Sequence, residues 1–278
     1  MFKYRIIGFT LLMGILCGIF FWRPWGIWIF VAVAPALAAL AVGECAKMLN
    51  DAGKKTFPAI TALVFYAAVL GLCACRIFKF NCGNLLLMLP LLALIAGFTL
   101  LKLREKVLDK LLNSFGILAL LTPGFLFFLD SYFLTRGNAA AGTWLFFLCL
   151  VTKATDSGGY IFGTLTSKLP KGNHKIAPNI SPKKSWEGLA GGMLISLAAA
   201  WGFFKAGVFT GIPQWWFILA GVVLSLGSFF GDLAESAIKR ISNIKDSGHW
   251  VPGMGGAFDV LDSFIFNGTL FYLLLKLI

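Results

Sequence analysis

The chain is 278 residues long, with 59% of them apolar and only 13% charged, against about 25% charged in ordinary soluble domains. That much apolar surface cannot be hidden inside a water-facing shell of this size, so a soluble globular protein is excluded and the bilayer is the implied solvent. A formal charge of +12 would raise nucleic-acid binding in a soluble chain, but in a membrane chain the bases must first be weighed against orientation.

Met1 to Arg5 precede an apolar run that lacks a small-x-small cleavage site, and Leu16 before Cys17 is too large for a lipoprotein-type site, so the run reads as a retained first span. A window of about 20 apolar residues then predicts an all-α polytopic protein with nine spans, near 6–22, 26–43, 57–75, 84–101, 114–134, 139–163, 186–207, 214–235 and 258–278. Pro35, Pro90 and Pro123 fall inside spans and read as kinks. The six cysteines lie in or beside apolar runs with no Cys-x-x-Cys pair, and read as small buried thiols. With the N-terminus inside, 17 Lys and Arg residues fall on the cytoplasmic side and 6 on the other, which predicts an inside N-terminus and an outside C-terminus. Most of the positive charge therefore calls for no nucleic acid.

Acidic residues say less about orientation and more about chemistry. Seven of the twelve lie between 156 and 262, and Asp156, Asp232, Glu235, Asp259 and Asp262 fall at the cytoplasmic ends of apolar helices. A charge there is costly unless it is paired, solvated or bound to a metal. Lys153 and Asp156, three apart, read as a local pair. Asp232-x-x-Glu235 and Asp259-x-x-Asp262 each place two carboxylates on one helix face, so that four could converge. Oxygen ligands without a His or thiolate cluster favour Mg²⁺, with Mn²⁺ as the alternative, and Mg²⁺ held by carboxylates shares its coordination with substrate phosphates.

Two loops carry matching chemistry. The first contains Lys168, Lys171, His174 and Lys175, then Ser181-Pro182-Lys183-Lys184-Ser185-Trp186-Glu187-Gly188. It reads as a binding loop for an anionic headgroup or nucleotide phosphates, with Glu187 positioning the bases. The second runs Ser236-Ala-Ile-Lys239-Arg240, then Lys245-Asp246-Ser247-Gly248-His249, then Pro252-Gly253-Met254-Gly255-Gly256. Glycines let backbone N–H groups approach oxyanions while Lys and Arg supply charge. His174 and His249 read as polar loop residues rather than metal ligands.

These segments resemble the phosphatidate cytidylyltransferases, also called CDP-diacylglycerol synthases. The C-terminal signature of that family maps without a gap onto Ser236, Lys239, Arg240, Lys245, Asp246, Pro252, Gly255, Gly256, Asp259 and Asp262, and Asp156-Ser157-Gly158, the 181–188 run and Gly231-Asp232 follow family motifs in order. Met254 stands where the common pattern has His, and Val260 where it has Arg. The resemblance is specific over about 156–262, whereas residues 1–140 share only the multi-span character. It implies attack of a phosphatidate oxygen on the α-phosphorus of CTP at a bilayer, giving CDP-diacylglycerol and pyrophosphate. It further implies Asp232, Asp259 and Asp262 as metal ligands, Lys239 and Arg240 on the leaving group, and Lys245 with Asp246 ordering the nucleotide loop. Asp156, Lys175, Ser181, Lys183, Lys184, Ser185, Glu187, His249, Gly255 and Gly256 complete the expected substrate-binding set.

The expected setting is a bacterial inner membrane with the site facing the cytoplasm, and a homodimer is compatible with the sequence. The chain divides at about 138 into five motif-poor N-terminal spans and a catalytic region, 139–278, with cytoplasmic loops 164–185 and 236–257. Two other readings stay open: a CTP-dependent enzyme acting on a polyprenol or ether lipid, and a cation-coupled transporter, since intramembrane carboxylates also mark ion pathways.

Overall fold

The computed structural model describes residues 25–79, 105–135, 141–170, 172–244, 247–248 and 255–278, with Gly14 and Gly18. The predicted span at 84–101, nearly all of that at 6–22, and Lys245, Asp246 and His249 lie outside these residues. Backbone groups have no water partners in hydrocarbon, so apolar stretches of spanning length close their hydrogen bonds internally as helices. The described helices are α1 (Gly26–Asp51), α2 (Pro58–Phe78), α3 (Glu105–Thr135), α4 (Ala141–Ser167), α5 (Trp186–Lys205), α6 (Gln214–Ile241), α7 (Ala257–Leu261) and α8 (Phe264–Leu275). Six segments are long and apolar enough to cross a membrane: α1, α2, 109–135 of α3, α5, α6, and the run Ala257–Leu275 that holds α7 and α8. The protein is an all-α, multi-pass membrane protein. Helix α4 falls where the span at 139–163 is predicted, but Lys153, Asp156 and Gly158-Gly159 dilute its apolar character, and it is not one of the six.

The chain forms two compact units, one of residues 1–129 and 238–261, the other of 130–237 and 262–278. In the first, α1 packs against α2 and α7. Phe65 meets Phe125 edge-on with ring centroids 6.1 Å apart, and Phe30 meets Phe128 at 6.2 Å. Pro58 sits in the first turn of α2, where its missing N–H costs nothing. The preceding turn is tied down by the Thr56 hydroxyl, which donates to the Ala46 carbonyl (2.6 Å), and by the Phe57 N–H, which donates to Ser114 Oγ (3.0 Å). Cys45 and Cys73 are buried, but Cys75 is disulfide-bonded, which corrects the reading of all six cysteines as thiols.

In the second unit α4 and α5 pack along facing glycines, the close-approach device of membrane helices. A Cβ on Gly158 would lie 2.9 Å from the Gly191 carbonyl oxygen, and one on Gly192 would lie 2.8 Å from that of Thr155. A hairpin, β1 (Lys175–Ala177) antiparallel to β2 (Ser181–Ser185), leads into α5. Ser185 then caps α5, its extended backbone placing Oγ to accept from the Gly188 N–H at 3.1 Å. At the other end of the unit Trp144, Phe147, Phe209, Trp216 and Phe271 form an aromatic core, and the buried Trp216 indole donates to the Leu274 carbonyl at 2.8 Å. Asn267 of α8 donates to Thr152 Oγ1 and the Leu224 carbonyl, both at 3.0 Å, which fixes α8 against α4 and α6.

Candidate functional site

The second unit gathers three carboxylates around one hydroxyl. Asp156 comes from α4, Asp232 from α6, and Asp262 from the break between α7 and α8. Ser263 Oγ lies 2.9 Å from Asp262 Oδ1, 3.2 Å from Asp232 Oδ1 and 3.4 Å from Asp156 Oδ2. A hydroxyl carries one proton and can satisfy one of these acceptors, so the positive charge must come from elsewhere. Lys153 Nζ supplies part of it, 3.1 Å from Asp156 Oδ2 and 4.0 Å from Asp262 Oδ1, so the predicted local pair is present and extends to a third residue. Lys184 supplies a second ammonium group: its Nζ sits 3.3 Å from Asp232 Oδ2, donates to the Phe229 carbonyl at 2.9 Å and lies 4.6 Å from the centre of the Phe229 ring. Ser228 adds a short hydrogen bond of 2.6 Å to Asp156 Oδ1. The break that delivers Asp262 is held by close packing, since a Cβ on Gly231 would stand 2.6 Å from the Asp262 carbonyl oxygen.

A cleft of about 490 Å³ opens beside this cluster. Its walls include Asp156 and Asp232 together with Lys175, Ser181, Lys183, Lys184 and Ser185 of the hairpin. Lys175 and Lys183 are exposed, whereas Ser185 is buried, its Oγ engaged by Gly188 and lying 3.3 Å from Asn173 Nδ2. Glu187 accepts from the His174 N–H at 3.1 Å and lies 2.6 Å from His174 Nδ1, anchoring the start of the hairpin whose next residue is Lys175. Acidic and basic groups thus line one polar recess on otherwise apolar helices, an arrangement suited to a phosphate-bearing ligand.

The first unit holds a second constellation. Asp259 of α7 accepts from Lys239 Nζ (3.0 Å), from the Ser247 N–H (3.2 Å) and from the Gly256 N–H (3.0 Å). Gly255 has φ +99°, a conformation that favours glycine. Arg240 is exposed in the last turn of α6. A residue outside the motif-bearing region joins this constellation: Glu44 of α1, whose Oε2 accepts from Ser247 Oγ (3.0 Å) and the Phe258 N–H (2.9 Å). In the sequence it is a lone acid just past the predicted span 26–43, with no local motif that points to it.

The donor chemistry of Asp156, Asp232 and Asp262 fits a hard divalent cation, all oxygen and no thiolate or imidazole. Among the described residues no three His, Cys, Asp or Glu side chains form a ready-made ligand set for one ion. Asp156, Asp232 and Asp262 meet through Ser263, and both oxygens of Asp259 accept hydrogen bonds.

Residues 3–278 match the Cytidylyltransferase family. The chain is 42% identical over 135 residues to the phosphatidate cytidylyltransferase of Bacillus subtilis (strain 168), an alignment covering 49% of this chain and 48% of that protein. It is 40% identical over 132 residues to the phosphatidate cytidylyltransferase of Staphylococcus saprophyticus, covering 48% of each. For that of Mycobacterium tuberculosis (strain H37Rv) the identity is 38% over 135 residues, covering 49% of this chain and 39% of the relative. The aligned stretch thus spans about half the length of these curated relatives, or less.

Proposed function

The chain belongs to the cytidylyltransferase family, and from that premise we propose that it transfers CMP from CTP to phosphatidate, giving CDP-diacylglycerol and pyrophosphate. The observation that carries this reading is the cleft in which Asp156 and Asp232 face Lys175, Lys183 and Lys184 of the hairpin, in a protein with six segments of membrane-spanning character. Phosphate oxygens need the bases, and a lipid acceptor needs the apolar surroundings.

In the proposed reaction a phosphatidate oxygen forms a bond to the α-phosphorus of CTP while the bond to the β-phosphate oxygen breaks, its electron pair leaving with pyrophosphate. No general base is required, because a phosphate monoester is already ionised near neutral pH. Lys175 and Lys183, exposed at the mouth, draw in the anionic group, and Lys184, less exposed, fixes the Asp232 carboxylate. Asp156, Asp232 and Asp262 are the residues to hold Mg²⁺ or Mn²⁺, whose charge when bound offsets repulsion between phosphate oxygens. Asp259, bonded to Lys239, also holds the N–H groups of Ser247 and Gly256, in a glycine-rich sequence suited to nucleotide phosphate. The bacterial relatives support a plasma membrane protein, and the charge bias across the predicted spans supports motif loops that face the cytoplasm, where CTP is found.

The test is incubation of the purified protein in lipid–detergent micelles with phosphatidate, CTP and Mg²⁺, following lipid-linked cytidine and pyrophosphate. Equimolar appearance of both, abolished by chelation, is the expected result. Folded protein that forms neither product overturns the reading. Product with a polyprenol phosphate or an ether lipid but not with phosphatidate would move the substrate assignment to that lipid.

A further inference from the structure

Glu44 stands among the motif-poor helices, 203 residues in sequence from Ser247 and 214 from Phe258, yet it bonds both. Its side chain is 8% exposed, and the carboxylate directs one oxygen to two donors: Oε2 accepts from the Ser247 hydroxyl at 3.0 Å and from the Phe258 N–H at 2.9 Å. Ser247 opens the described part of the glycine-rich segment, and Phe258 lies in the first turn of α7, just beyond its end. Asp259 also holds Ser247, and with it Gly256, through their N–H groups. The glycines of the segment also read differently once Glu44 is in view. A Cβ on Gly248 would fall 3.0 Å from Glu44 Cδ, and one on Gly256 would fall 2.7 Å from it. These two positions are therefore kept bare by the carboxylate they pack against. Oε1 is buried and has no hydrogen-bond partner among the described residues, so one oxygen is desolvated to keep the other in place. A buried carboxylate is retained at that cost only where its bonds hold something that packing alone does not.

We propose that Glu44 is a positioning residue for the proposed transfer: it staples Ser247 and the first turn of α7 to α1 and so holds the backbone at Gly248, which packs beside it, and at Gly255 ready for the nucleotide phosphates. The nucleotide part of this inference rests on the cytidylyl-transfer reading, whereas the staple itself rests on the hydrogen bonds alone.

Two measurements on the full-length protein in micelles separate the parts. Hydrogen exchange at the Phe258 amide reads the staple directly. Glu44→Ala removes its acceptor and speeds exchange there about tenfold or more, while exchange in the α2 core around Phe65 is unchanged. Glu44→Gln keeps an acceptor for both donors and recovers most of the protection. Unchanged exchange at Phe258 in Glu44→Ala overturns the staple. If Glu44→Ala does not fold, Glu44→Asp, one methylene shorter, withdraws the acceptor from the Phe258 amide, and an unaltered Phe258 exchange rate in that variant overturns it equally. Steady-state kinetics reads the nucleotide part: Glu44→Ala, or Glu44→Asp in its place, raises KM for CTP about tenfold with kcat within about threefold, and Glu44→Gln reverses most of the change. A fall in kcat at saturating CTP with KM unmoved overturns the positioning role. If the unaltered protein turns over no CTP, the cytidylyl-transfer reading fails, and the exchange measurement still decides the staple.

Discussion

At the scale of single residues, the acidic cluster of the second unit is an unfinished charge balance. Three carboxylates, Asp156, Asp232 and Asp262, face two ammonium groups, Lys153 and Lys184, around a hydroxyl with one proton. Like charges held together in a poorly solvated site destabilise one another until a cation joins them. Asp232→Asn leaves two carboxylates against two ammoniums, so it is expected to melt, without metal, at or above the temperature of the unaltered protein. The same change removes a proposed metal donor, so turnover should fall by about a hundredfold or more, and the rise in melting temperature that Mg²⁺ gives the unaltered protein should shrink. Paired thermal melts and assays with and without Mg²⁺ check this. A lower metal-free melting temperature with turnover intact would mean that Asp232 serves only to hold Lys184. Asp156, Asp232 and Asp262 are legible in the sequence because a carboxylate in an apolar helix is conspicuous. Glu44 falls just past the predicted span 26–43, its partners lie more than 200 residues away, and no local spacing connects it to them.

At the scale of elements, the spans are read easily and their faces are not. Hydropathy locates α1, α2, α5 and α6 to within a few residues at their starts, since the bilayer sets their length. Which side of such a helix meets a neighbour leaves no apolar–polar period, because lipid and protein interior are equally apolar. The signal that remains is small residues: Gly158 and Gly159 on α4, Gly188, Gly191 and Gly192 on α5. Gly192→Ala pushes a methyl to 2.8 Å from the Thr155 carbonyl oxygen, a backbone atom that cannot rotate away, and should destabilise by about 1–3 kcal/mol. Gly202→Ala on the same helix meets nothing within 4 Å and should be neutral or stabilising by up to about 1 kcal/mol. Thermal melts of the two variants in one detergent make the comparison, and equal effects would show that α4 and α5 do not pack as described. The β1–β2 hairpin has no comparable signal. Its second strand, Ser-Pro-Lys-Lys-Ser, contains a proline and adjacent lysines and shows no apolar alternation. What makes it a strand is its ties to neighbours: the Trp186 N–H donates to the His174 carbonyl, and Lys184 is drawn to Asp232.

At the scale of the whole molecule, the chain enters each compact unit twice, and the C-terminal stretch 262–278 completes the second by supplying Asp262, Ser263 and Asn267. Reading along the sequence cannot see such a return, because it depends on contacts between residues more than 100 positions apart, such as Asn267 with Thr152. Orientation is the global property that composition does address. Helix α5 has 20 residues, about 30 Å of rise and thus one hydrocarbon thickness, so its two ends belong to opposite faces of the bilayer. The 17-to-6 bias of Lys and Arg predicts that the 164–185 loop, and with it the start of α5, lies on the cytoplasmic side. The exposed Lys168 and the exposed Gly207 therefore bracket the helix. In a background with the native cysteines replaced, Lys168→Cys should react with a membrane-impermeant thiol reagent in inside-out vesicles and be protected in right-side-out vesicles, and Gly207→Cys should do the reverse. CTP does not cross the bilayer unaided, so labelling in the opposite sense would put Lys183 and Lys184 out of its reach. The charge-bias argument and the proposed reaction would then fail together, whereas the expected pattern places the basic hairpin on the side where the nucleotide is found.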